Sequence, residues 1–406
     1  MDVNQALDLL AGLSPAQFMR QYWQKKPLLV RQAIPGFQPL LSRPALFKLA
    51  EREHVESRLI TRQVKGWRMK QGPMAPRSLP PLSKEGWTLL VQGVDMHDAS
   101  AHALLQQFRF VPDARLDDLM ISFASTGGGV GPHFDSYDVF LLQASGRRRW
   151  KIGQQKDLSL QPGVPLKILQ NFEPDQEFVL EAGDMLYLPP RYAHDGVAEA
   201  AVGPDGKPAD CMTYSIGFRA PGQKELAAEL LHRLAEFSED DADAPSGSSE
   251  SSVRQPRIYR DPRQAATATP AALPAGLATF AGQAVLEALK DPLALACALG
   301  EYMTELKPSV WFGESQQTWD ADAVKTSQAG VHLDARTRMM YDSDHVFING
   351  ESYRAKGADA NLMRLLADQR SLTARELRKA SASAIALLGD WHDAGWLQQG
   401  PSGEDT

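Results

Sequence analysis

Gly127-Gly128-Gly129-Val130-Gly131-Pro132-His133-Phe134-Asp135 is a glycine-rich loop that ends on a histidine and a carboxylate two residues apart. The run from Tyr137 to Leu142 that follows has apolar character, which indicates a buried strand. Side chains alternate along an extended chain, so His133 and Asp135 are predicted to lie on one face and to reach one metal ion. A His-x-Asp pair alone is a weak signal, because an ordinary surface histidine gives the same pattern.

A later stretch supplies a third candidate ligand, His194. Gly183-Asp184 marks a turn, Met185 to Leu188 indicates a short strand, and two prolines form a corner that directs His194 inward. Two histidines and one carboxylate occupy one face of an octahedral ion and leave the other positions open for a bidentate 2-oxo acid and dioxygen. The sequence therefore predicts Fe(II) on His133, Asp135 and His194, with 2-oxoglutarate as co-substrate.

The residues around these motifs indicate a β-rich domain. From Leu116 to Phe218 the sequence consists of short alternating runs, with glycine turns and with prolines only between the runs. Helical patterns precede and follow this region. The predicted fold is α+β, with a double-stranded β-helix, or jelly roll, that carries the metal.

A basic strand supplies a candidate co-substrate residue. Alternation along Arg147 to Ile152 places Arg148 on one face with Trp150, and the remaining basic side chains on the other face. A buried guanidinium needs a partner, and its fork of donors matches a carboxylate in bidentate fashion. Arg148 is predicted to bind the distal carboxylate of 2-oxoglutarate; the alternative is an internal salt bridge, for example to Asp184.

Three further residues are predicted to hold the substrate. Asp118 and Ser122 share one face of the strand that ends at Ala124, so Ser122 can donate to the co-substrate and Asp118 suits a cationic side chain such as arginine. Ser215 is predicted to face the same cavity from a later strand. Together with Tyr137, Asp118 and Ser215 would keep the target side chain near the iron, although each residue could equally be an ordinary strand position.

Composition excludes several classes of protein. The chain has 406 residues, of which 43% are hydrophobic and 23% charged, and this length allows two or three domains. A formal net charge of -7 argues against electrostatic binding of nucleic acid by the protein as a whole and favours a basic protein partner. Cys211 and Cys297 are the only cysteines, which excludes a disulfide framework and a thiolate metal cage and leads us to expect a cytoplasmic protein. Neither a signal-peptide pattern nor a long apolar run is present.

The flanking sequence predicts three regions. Residues 1–220 are expected to form the β-rich domain with two short N-terminal helices, in which Ser14-Pro15 provides an N-cap and a first-turn residue. Residues 221–306 are expected to be helical, with a flexible polar segment at 238–270 and an Ala-rich surface that suits either a dimer or plain intramolecular packing. Residues 307–406 combine a hairpin with three short helices, a winged-helix-like pattern whose mixed charges favour packing or a partner role over nucleic-acid binding.

These motifs together resemble the JmjC-type oxygenases, and among them the bacterial ribosomal oxygenases. The segments that carry the resemblance are Phe18-x-x-x-Tyr22-Trp23-x-Lys25-Lys26-Pro27-Leu28, GGGVGPHFDSYDVFLLQASGRRRW, GDMLYLPPRYAHDG and YSIGFRAP at 214–221. The resemblance implies Fe(II) on His133, Asp135 and His194, and 2-oxoglutarate on Arg148. It further implies hydroxylation of the β-carbon of an arginine in large-subunit ribosomal protein sixteen, and a homodimer formed through the helical middle region.

The resemblance has one departure and leaves alternatives open. Some relatives have a hydroxyl residue where this chain has Ala124, so Ser122 or Ser125 would hydrogen-bond the co-substrate instead. Related enzymes also hydroxylate histidine, which makes a histidine of another ribosomal protein the alternative target. The remaining alternatives are a cupin isomerase or hydrolase with Zn(II) or Mn(II), and a non-enzymatic ribosome-associated adaptor.

Overall fold

The structure is a computed structural model that describes residues 2–63, 66–202, 206, 209–243, 259–260, 262, 273–313, 315, 317–354 and 356–400. The chain divides into two compact units, Met1–Ala220 with Pro308–Trp311, and Pro221–Lys307 with Phe312–Asp405. Most of the segment predicted to be flexible, 238–270, lies outside the described residues.

The first unit combines a few short helices with eleven strands among its described residues. Its helices are α1 (Pro15–Gln21), α2 (Arg43–Ala50) and α3 (Ala99–Gln106), with short 3-10 helices at Asp8–Leu10, Pro76–Ser78 and Val94–Met96. Its strands are β1 (Leu28–Val30), β2 (Ser57–Gln63), β3 (Gly66–Gln71), β4 (Trp87–Val91), β5 (Leu116–Ala124), β6 (Val139–Ser145), β7 (Arg147–Gly153), β8 (Gln176–Leu180), β9 (Met185–Leu188), β10 (Ala193–Glu199) and β11 (Cys211–Phe218).

The strands of the first unit form two antiparallel sheets. The larger has the order β1-β9-β6-β11-β5-β4-β2-β3, and the smaller has the order β10-β7-β8. Antiparallel strands that pass between two facing sheets in this way make a jelly roll. The predicted double-stranded β-helix is confirmed.

Alternation along the strands separates the two faces of the larger sheet. On β5, Leu119, Ile121 and Phe123 belong to the main apolar core, which also contains residues of α1, α2 and α3. Asp118 and Ser122, at the alternate positions, are buried but lie outside that core. The inner face of β5 therefore carries polar groups inside the barrel, where the period of two predicted them.

A second apolar cluster fills part of the barrel interior. It joins residues from both sheets: Val139, Leu141, Trp150, Ile152, Leu180, Leu186, Leu188 and Tyr192. Each is at most 7% exposed, so the two sheets pack directly against each other at this level. Buried polar side chains therefore lie in the other parts of the barrel interior.

A buried hydrogen-bond network ties the N-terminal segment to the barrel. The Asp138 carboxylate accepts from the Tyr187 hydroxyl at 2.6 Å and from the Gln24 side-chain amide at 3.0 Å, and Arg115 approaches it to 3.5 Å. Asp138 is fully buried, and burial together with this carboxylate raises the pKa of Tyr187. The network offsets the desolvation of a charge that would otherwise be costly in the core.

Replacing Tyr187 with phenylalanine should lower the free energy of unfolding by about 1–3 kcal/mol, because it leaves a buried carboxylate short of one donor. Chemical denaturation of the purified variant and wild type measures the difference. Tyr22 is a matched control, since its ring stacks on Phe18 and lies beneath the Lys26 ammonium. An equal loss in Tyr22→Phe would contradict the role given to the network.

Two sequence predictions in this unit need correction. The strand predicted from Tyr137 begins at Val139, so His133 and Asp135 do not lie on one continuous strand. The β region also begins earlier than Leu116, because β2, β3 and β4 extend the larger sheet. The N-cap at Ser14 is confirmed, with a capping box formed with Gln17.

The second unit contains helices and two small sheets. Its helices are α4 (Gln223–Asp243), α5 (Ala275–Ala288), α6 (Pro292–Thr304), α7 (Ala321–Thr326), α8 (Gly357–Gln369), α9 (Ala374–Leu377) and α10 (Ala382–Asp393). Its strands are β12 (Val331–Leu333), β13 (Met339–Tyr341), β14 (His345–Ile348), β15 (Glu351–Arg354), β16 (Ser371–Leu372) and β17 (Leu397–Gln399), in the orders β16-β12-β17 and β13-β14-β15.

The predicted hairpin and helices of the C-terminal region are confirmed. Asn349 and Gly350 both have positive φ, +50° and +91°, as the two-residue turn between β14 and β15 requires. Helix α4 continues to Asp243, beyond the start that the sequence predicted for the flexible segment. Of the helices that the structure describes, none combines the length and apolar content needed to cross a membrane.

Candidate metal centre and co-substrate pocket

A short backbone pairing brings the two candidate histidine ligands together. His133 and His194 form an isolated antiparallel bridge in which the N–H of each donates to the carbonyl of the other, at 2.9 and 2.8 Å. Directly opposed residues on antiparallel chains project their side chains to the same side. The Asp135 carbonyl accepts from the Arg191 N–H at 2.7 Å, which fixes the third ligand against the corner before β10.

The loop before His133 needs its glycines because it runs directly against β10. The Gly127 N–H donates to the Ala198 carbonyl, and the Ala198 N–H donates to the Gly128 carbonyl, both at 2.9 Å. A Cβ at Gly129 would lie 2.5 Å from the Gly196 carbonyl oxygen, and a Cβ at Gly196 would lie 2.5 Å from the Trp150 ring. Neither position has room for a side chain, so the glycines allow the close approach on which the histidine bridge depends.

The three side chains form a compact set of ligand atoms. One ligand atom from each of His133, Asp135 and His194 lies within 4.8 Å of the others, and the His194 Nε2 is 3.6 Å from an Asp135 oxygen. In the part of the chain that the structure describes, this is the one group of three or more such residues close enough to hold a metal ion. The donor set, two imidazoles and a carboxylate, suits Fe(II) with open positions.

Hydrogen bonds to backbone carbonyls determine which nitrogen of each histidine faces the site. The Nδ1 of His133 lies 2.8 Å from the Gly131 carbonyl, and the Nδ1 of His194 lies 2.9 Å from the Tyr192 carbonyl. A carbonyl only accepts, so each Nδ1 carries the proton and each Nε2 keeps a lone pair for a metal. Burial lowers the pKa of His194 to about 4, with a further contribution from His133, so its imidazole is neutral at pH 7.

Arg148 lies inside the barrel with unused hydrogen-bond donors. Arg148 is only 4% exposed, and its Nε and Nη2 atoms are buried with no hydrogen-bond partner among the described residues. The alternative salt bridge to Asp184 is not formed, because Asp184 pairs with Arg31 at 2.6 Å. A buried guanidinium that its own chain leaves unsatisfied is costly unless a ligand supplies the acceptor.

The surroundings of Arg148 include a chain of polar groups on the facing sheet. Its pairing partner Ala198 packs against Ala124, the last residue of β5, and Cys211, the first residue of β11. Arg148 therefore lies near these two strand ends. On that sheet, the Thr213 hydroxyl donates to the Gln143 side chain at 2.8 Å, and the Ser122 hydroxyl donates to the Thr213 carbonyl at 3.2 Å. Sequence reasoning missed Gln143, although a lone polar residue within the apolar strand β6 was a usable signal.

The two serines predicted to assist the co-substrate differ in their surroundings. Ser122 is on the inner face of β5, close to Thr213. The Ser125 hydroxyl lies 3.1 Å from the Trp87 N–H and 3.3 Å from its carbonyl, so it is used by the backbone of β4. Each serine hydroxyl thus donates to a backbone carbonyl, and that of Ser125 accepts from a backbone N–H as well. Ala124, on the same face as Ser122, contributes only a buried methyl group.

The predicted substrate residues lie on or beside the inner face of the larger sheet. Asp118 is buried, and its two oxygens accept from the Gln92 side chain at 3.1 and 3.0 Å. Tyr137 is 38% exposed and follows Asp135 in the chain; partial burial first, and then the carboxylates of Asp135 and Asp118, raise its pKa. Ser215 is half-buried on β11, paired with Met120 on β5.

Two parts of the chain match known protein families. Residues 103–226 match the JmjC domain, and residues 287–398 match the ROXA-like winged helix. The first range contains the candidate metal ligands and Arg148. The second contains the Asn349-Gly350 hairpin and helices α8 to α10.

Individual relatives match over most of the chain. Ribosomal protein uL16 3-hydroxylase of Escherichia coli is 31% identical over 394 residues, which is 94% of this chain and 97% of that protein. A probable ribosomal oxygenase of Haemophilus influenzae is 33% identical over 62% of each chain. Among solved structures, the E. coli ribosomal oxygenase YcfD in complex with cobalt and 2-oxoglutarate matches with a TM-score of 0.75, 28% identity, and coverage of 95% of this chain and 97% of that one. The chain belongs to the JmjC-type ribosomal oxygenases.

Proposed function

We propose that this protein is an Fe(II)- and 2-oxoglutarate-dependent hydroxylase that modifies the β-carbon of an arginine in ribosomal protein uL16. The name of the E. coli relative, a uL16 3-hydroxylase that matches over nearly the full length of both chains, supports the substrate. The complex of YcfD with cobalt and 2-oxoglutarate supports the cofactors. The observation in this chain that carries the proposal is the metal-ligand triad in a barrel whose buried Arg148 has unpaired donors.

The residues present fit both cofactors. His133, Asp135 and His194 would hold the metal through two Nε2 atoms and a carboxylate oxygen. Arg148 would receive the distal carboxylate of 2-oxoglutarate, with Ser122 as an additional hydrogen-bond partner. This division keeps the two ends of the co-substrate on different parts of the barrel and fixes its direction.

Fe(II) with 2-oxoglutarate and dioxygen supplies an oxidant able to replace an unactivated C–H with C–OH. In the overall reaction, one oxygen atom enters the substrate and the other enters succinate, while the 2-oxo acid loses carbon dioxide and provides two electrons. The protein itself excludes water and places the target carbon. Asp118, Tyr137 and Ser215 would hold the substrate side chain, since orientation decides which C–H reacts.

The charge of the substrate site favours arginine. The buried Asp118 carboxylate can accept two parallel hydrogen bonds from a guanidinium, a geometry that imidazole does not offer. A histidine target remains the alternative outcome of the test below. A cupin isomerase or hydrolase would have no use for the donors of Arg148.

Comparing uL16 from cells with and without this gene tests the proposal. Mass spectrometry of the purified ribosomal protein should show one added oxygen on an arginine only where the gene is present. The added oxygen should disappear when the gene carries His133→Ala. An unmodified uL16 together with a modified histidine in another ribosomal protein would favour the alternative target, and no modification anywhere would favour the adaptor.

We further propose that residues 221–306 mediate a homodimer through α5. The helix has no buried side chain, and Leu286, Val285 and Leu289 are 64%, 50% and 43% exposed. Apolar side chains in this number are uncommon on the surface of a monomer and are covered by partners in many oligomers. A second copy of this chain is the occupant that the resemblance to ribosomal oxygenases suggests.

Leu286→Glu should shift the protein towards the monomer, because it buries a charge in the proposed contact. Analytical ultracentrifugation across a range of concentrations should show at least a tenfold higher dimer dissociation constant for the variant. Leu82→Glu is the control, since that leucine is 49% exposed and lies in the first unit, outside residues 221–306. A wild-type protein that sediments as a monomer at every concentration contradicts the proposed dimer.

The remaining proposals concern location and domains. The reaction is proposed to take place in the cytoplasm, consistent with two cysteines that are both free. Residues 1–220 are proposed to be the oxygenase domain, 221–306 the dimerisation region and 307–406 the winged-helix-like domain. For the last we propose a packing or partner role without nucleic-acid binding, since acidic and basic residues alternate on its helices.

A further inference from the structure

A side-chain amide connects two charged residues at the inner face of the larger sheet. Gln92 directly follows β4, and its Nε2 lies 3.1 and 3.0 Å from the two oxygens of Asp118 on β5. Its Oε1 accepts from the Arg58 guanidinium of β2 at 3.0 Å. Arg58 and Asp118 thus lie on β2 and β5, and Gln92 lies directly after β4, the strand between them. The three side chains form one hydrogen-bonded row.

The chemistry of the neighbours fixes the direction of this amide. A guanidinium only donates, and an ionised carboxylate only accepts. Turning the Gln92 amide over would place donor against donor at Arg58 and acceptor against acceptor at Asp118. The amide therefore has one favourable orientation, and it holds the carboxylate plane of Asp118 in a defined position.

The row lies on the face of β5 opposite to the main apolar core. Asp118 shares that face with Met120 and Ser122, which pair with Ser215 and Thr213 of β11. The strand β11 passes close to Asp118, since a Cβ built at Gly217 would lie 3.9 Å from its Oδ1. Asp118 is therefore buried on the inner face of the sheet, outside the main apolar core.

The uncharged nature of Gln92 matters for recognition. A direct ion pair between Arg58 and Asp118 would orient the carboxylate but would also cancel its charge. A neutral amide orients the carboxylate without adding a positive charge beside it. A cationic substrate then meets an acceptor that is fixed in direction, which reduces the entropy lost on binding.

We propose that Gln92 is a positioning residue of the substrate site: supported by Arg58, its amide fixes the Asp118 carboxylate in the orientation that receives the guanidinium of the target arginine. The inference rests on the proposed arginine substrate. It adds a specificity determinant that lies outside both the metal triad and the co-substrate pocket.

Peptide binding to the metal-free protein provides the test. Fluorescence anisotropy measures the affinity for a labelled uL16 peptide with its arginine and for the same peptide with citrulline, which has the shape of arginine but no charge. The wild type should prefer arginine, and Gln92→Leu should lose about tenfold of that preference, as expected for two hydrogen bonds to a charged group. Gln92→Glu, nearly identical in shape, should lose as much because it repels Asp118.

Kinetics on the iron-loaded enzyme give a second readout. In Gln92→Leu the KM for the arginine peptide should rise about tenfold. Gln155→Leu is the matched control, because Gln155 is also half-buried and its Nε2 donates to two carbonyls, far along the chain from the row. The control should keep the wild-type preference and KM.

The two possible failures are distinguishable. An arginine preference that is undiminished in both Gln92→Leu and Gln92→Glu overturns the role of Gln92 and leaves the proposed function intact. A wild-type protein that binds arginine and citrulline peptides equally overturns the proposed arginine substrate, and with it the inference.

Discussion

Replacing Arg148 with methionine should raise the KM for 2-oxoglutarate at least a hundredfold and reduce hydroxylation at ordinary co-substrate concentrations to near background. The variant loses a charge-assisted, bidentate contact, and each hydrogen bond to a charged group contributes about 1.5–3 kcal/mol. Succinate formation as a function of 2-oxoglutarate concentration measures the change. Binding of 2-oxoglutarate with a redox-inert metal, followed by calorimetry, separates affinity from turnover.

Stability distinguishes this role from a structural one. Nε and Nη2 of Arg148 have no partner among the described residues, so an apolar side chain of similar length removes an unsatisfied buried charge. Arg148→Met should therefore unfold at the same denaturant concentration as the wild type or at a higher one. A variant that is destabilised and still has the wild-type KM for 2-oxoglutarate would show that Arg148 is a structural residue.

Arg149→Met is the matched control for Arg148. Arg149 is the next residue on β7 but points outward, where it pairs with Glu177 and Glu199. Exposed ion pairs contribute little to stability, and this one lies away from the interior. The control should keep the wild-type KM for 2-oxoglutarate.

Replacing Asp135 with alanine should abolish hydroxylation, with a loss of at least a thousandfold, because the metal loses its one anionic ligand. Removing a group that only supports a ligand already costs 10–100-fold in metal affinity, and a ligand itself contributes more. Calorimetric titration with Co(II) should show at least a hundredfold weaker binding in Asp135→Ala. His54→Ala, a histidine of the same unit outside the metal group, should bind Co(II) as the wild type does.

The loss of metal should not be a loss of fold. Backbone hydrogen bonds join His133 to His194 and Asp135 to Arg191, and these bonds do not involve the side chain removed from Asp135. The variant should therefore retain the circular dichroism spectrum and the unfolding midpoint of the metal-free wild type. Undiminished Co(II) binding by a folded Asp135→Ala would remove this residue from the proposed metal site.

The metal residues were predictable because their signal is local and chemical. A histidine and a carboxylate two residues apart after a glycine-rich loop, and a second histidine after a proline corner, are visible without any coordinates. The physical cause of their meeting was not visible. His133 pairs with His194 through an isolated bridge, and a contact between residues so distant in sequence depends on how the whole barrel closes.

Arg148 illustrates what alternation can and cannot give. The period of two correctly placed it inside the barrel, opposite in direction to Arg149. It could not decide between 2-oxoglutarate and a salt bridge to Asp184, because the partner of a buried charge is set by tertiary packing. In the structure Asp184 pairs with Arg31, a residue far along the chain, and not with Arg148.

Polar groups that act through other residues were the hardest to predict. Gln92 follows an apolar strand and resembles an ordinary strand end in the sequence. Its significance arises only when β2, β4 and β5 become neighbours and bring Arg58 and Asp118 to either side of it. The strand β4 itself was missed, since a short buried run without alternation does not distinguish a strand from a helix.

Incorporation of isotopic oxygen shows whether this protein hydroxylates uL16 with dioxygen. Purified protein is incubated with Fe(II), 2-oxoglutarate, a uL16 peptide and ¹⁸O₂, and the peptide is fragmented by mass spectrometry. We expect one ¹⁸O atom on the β-carbon of a single arginine, with succinate formed in equal amount. A peptide that stays unmodified, or that carries oxygen only from water, would contradict this expectation.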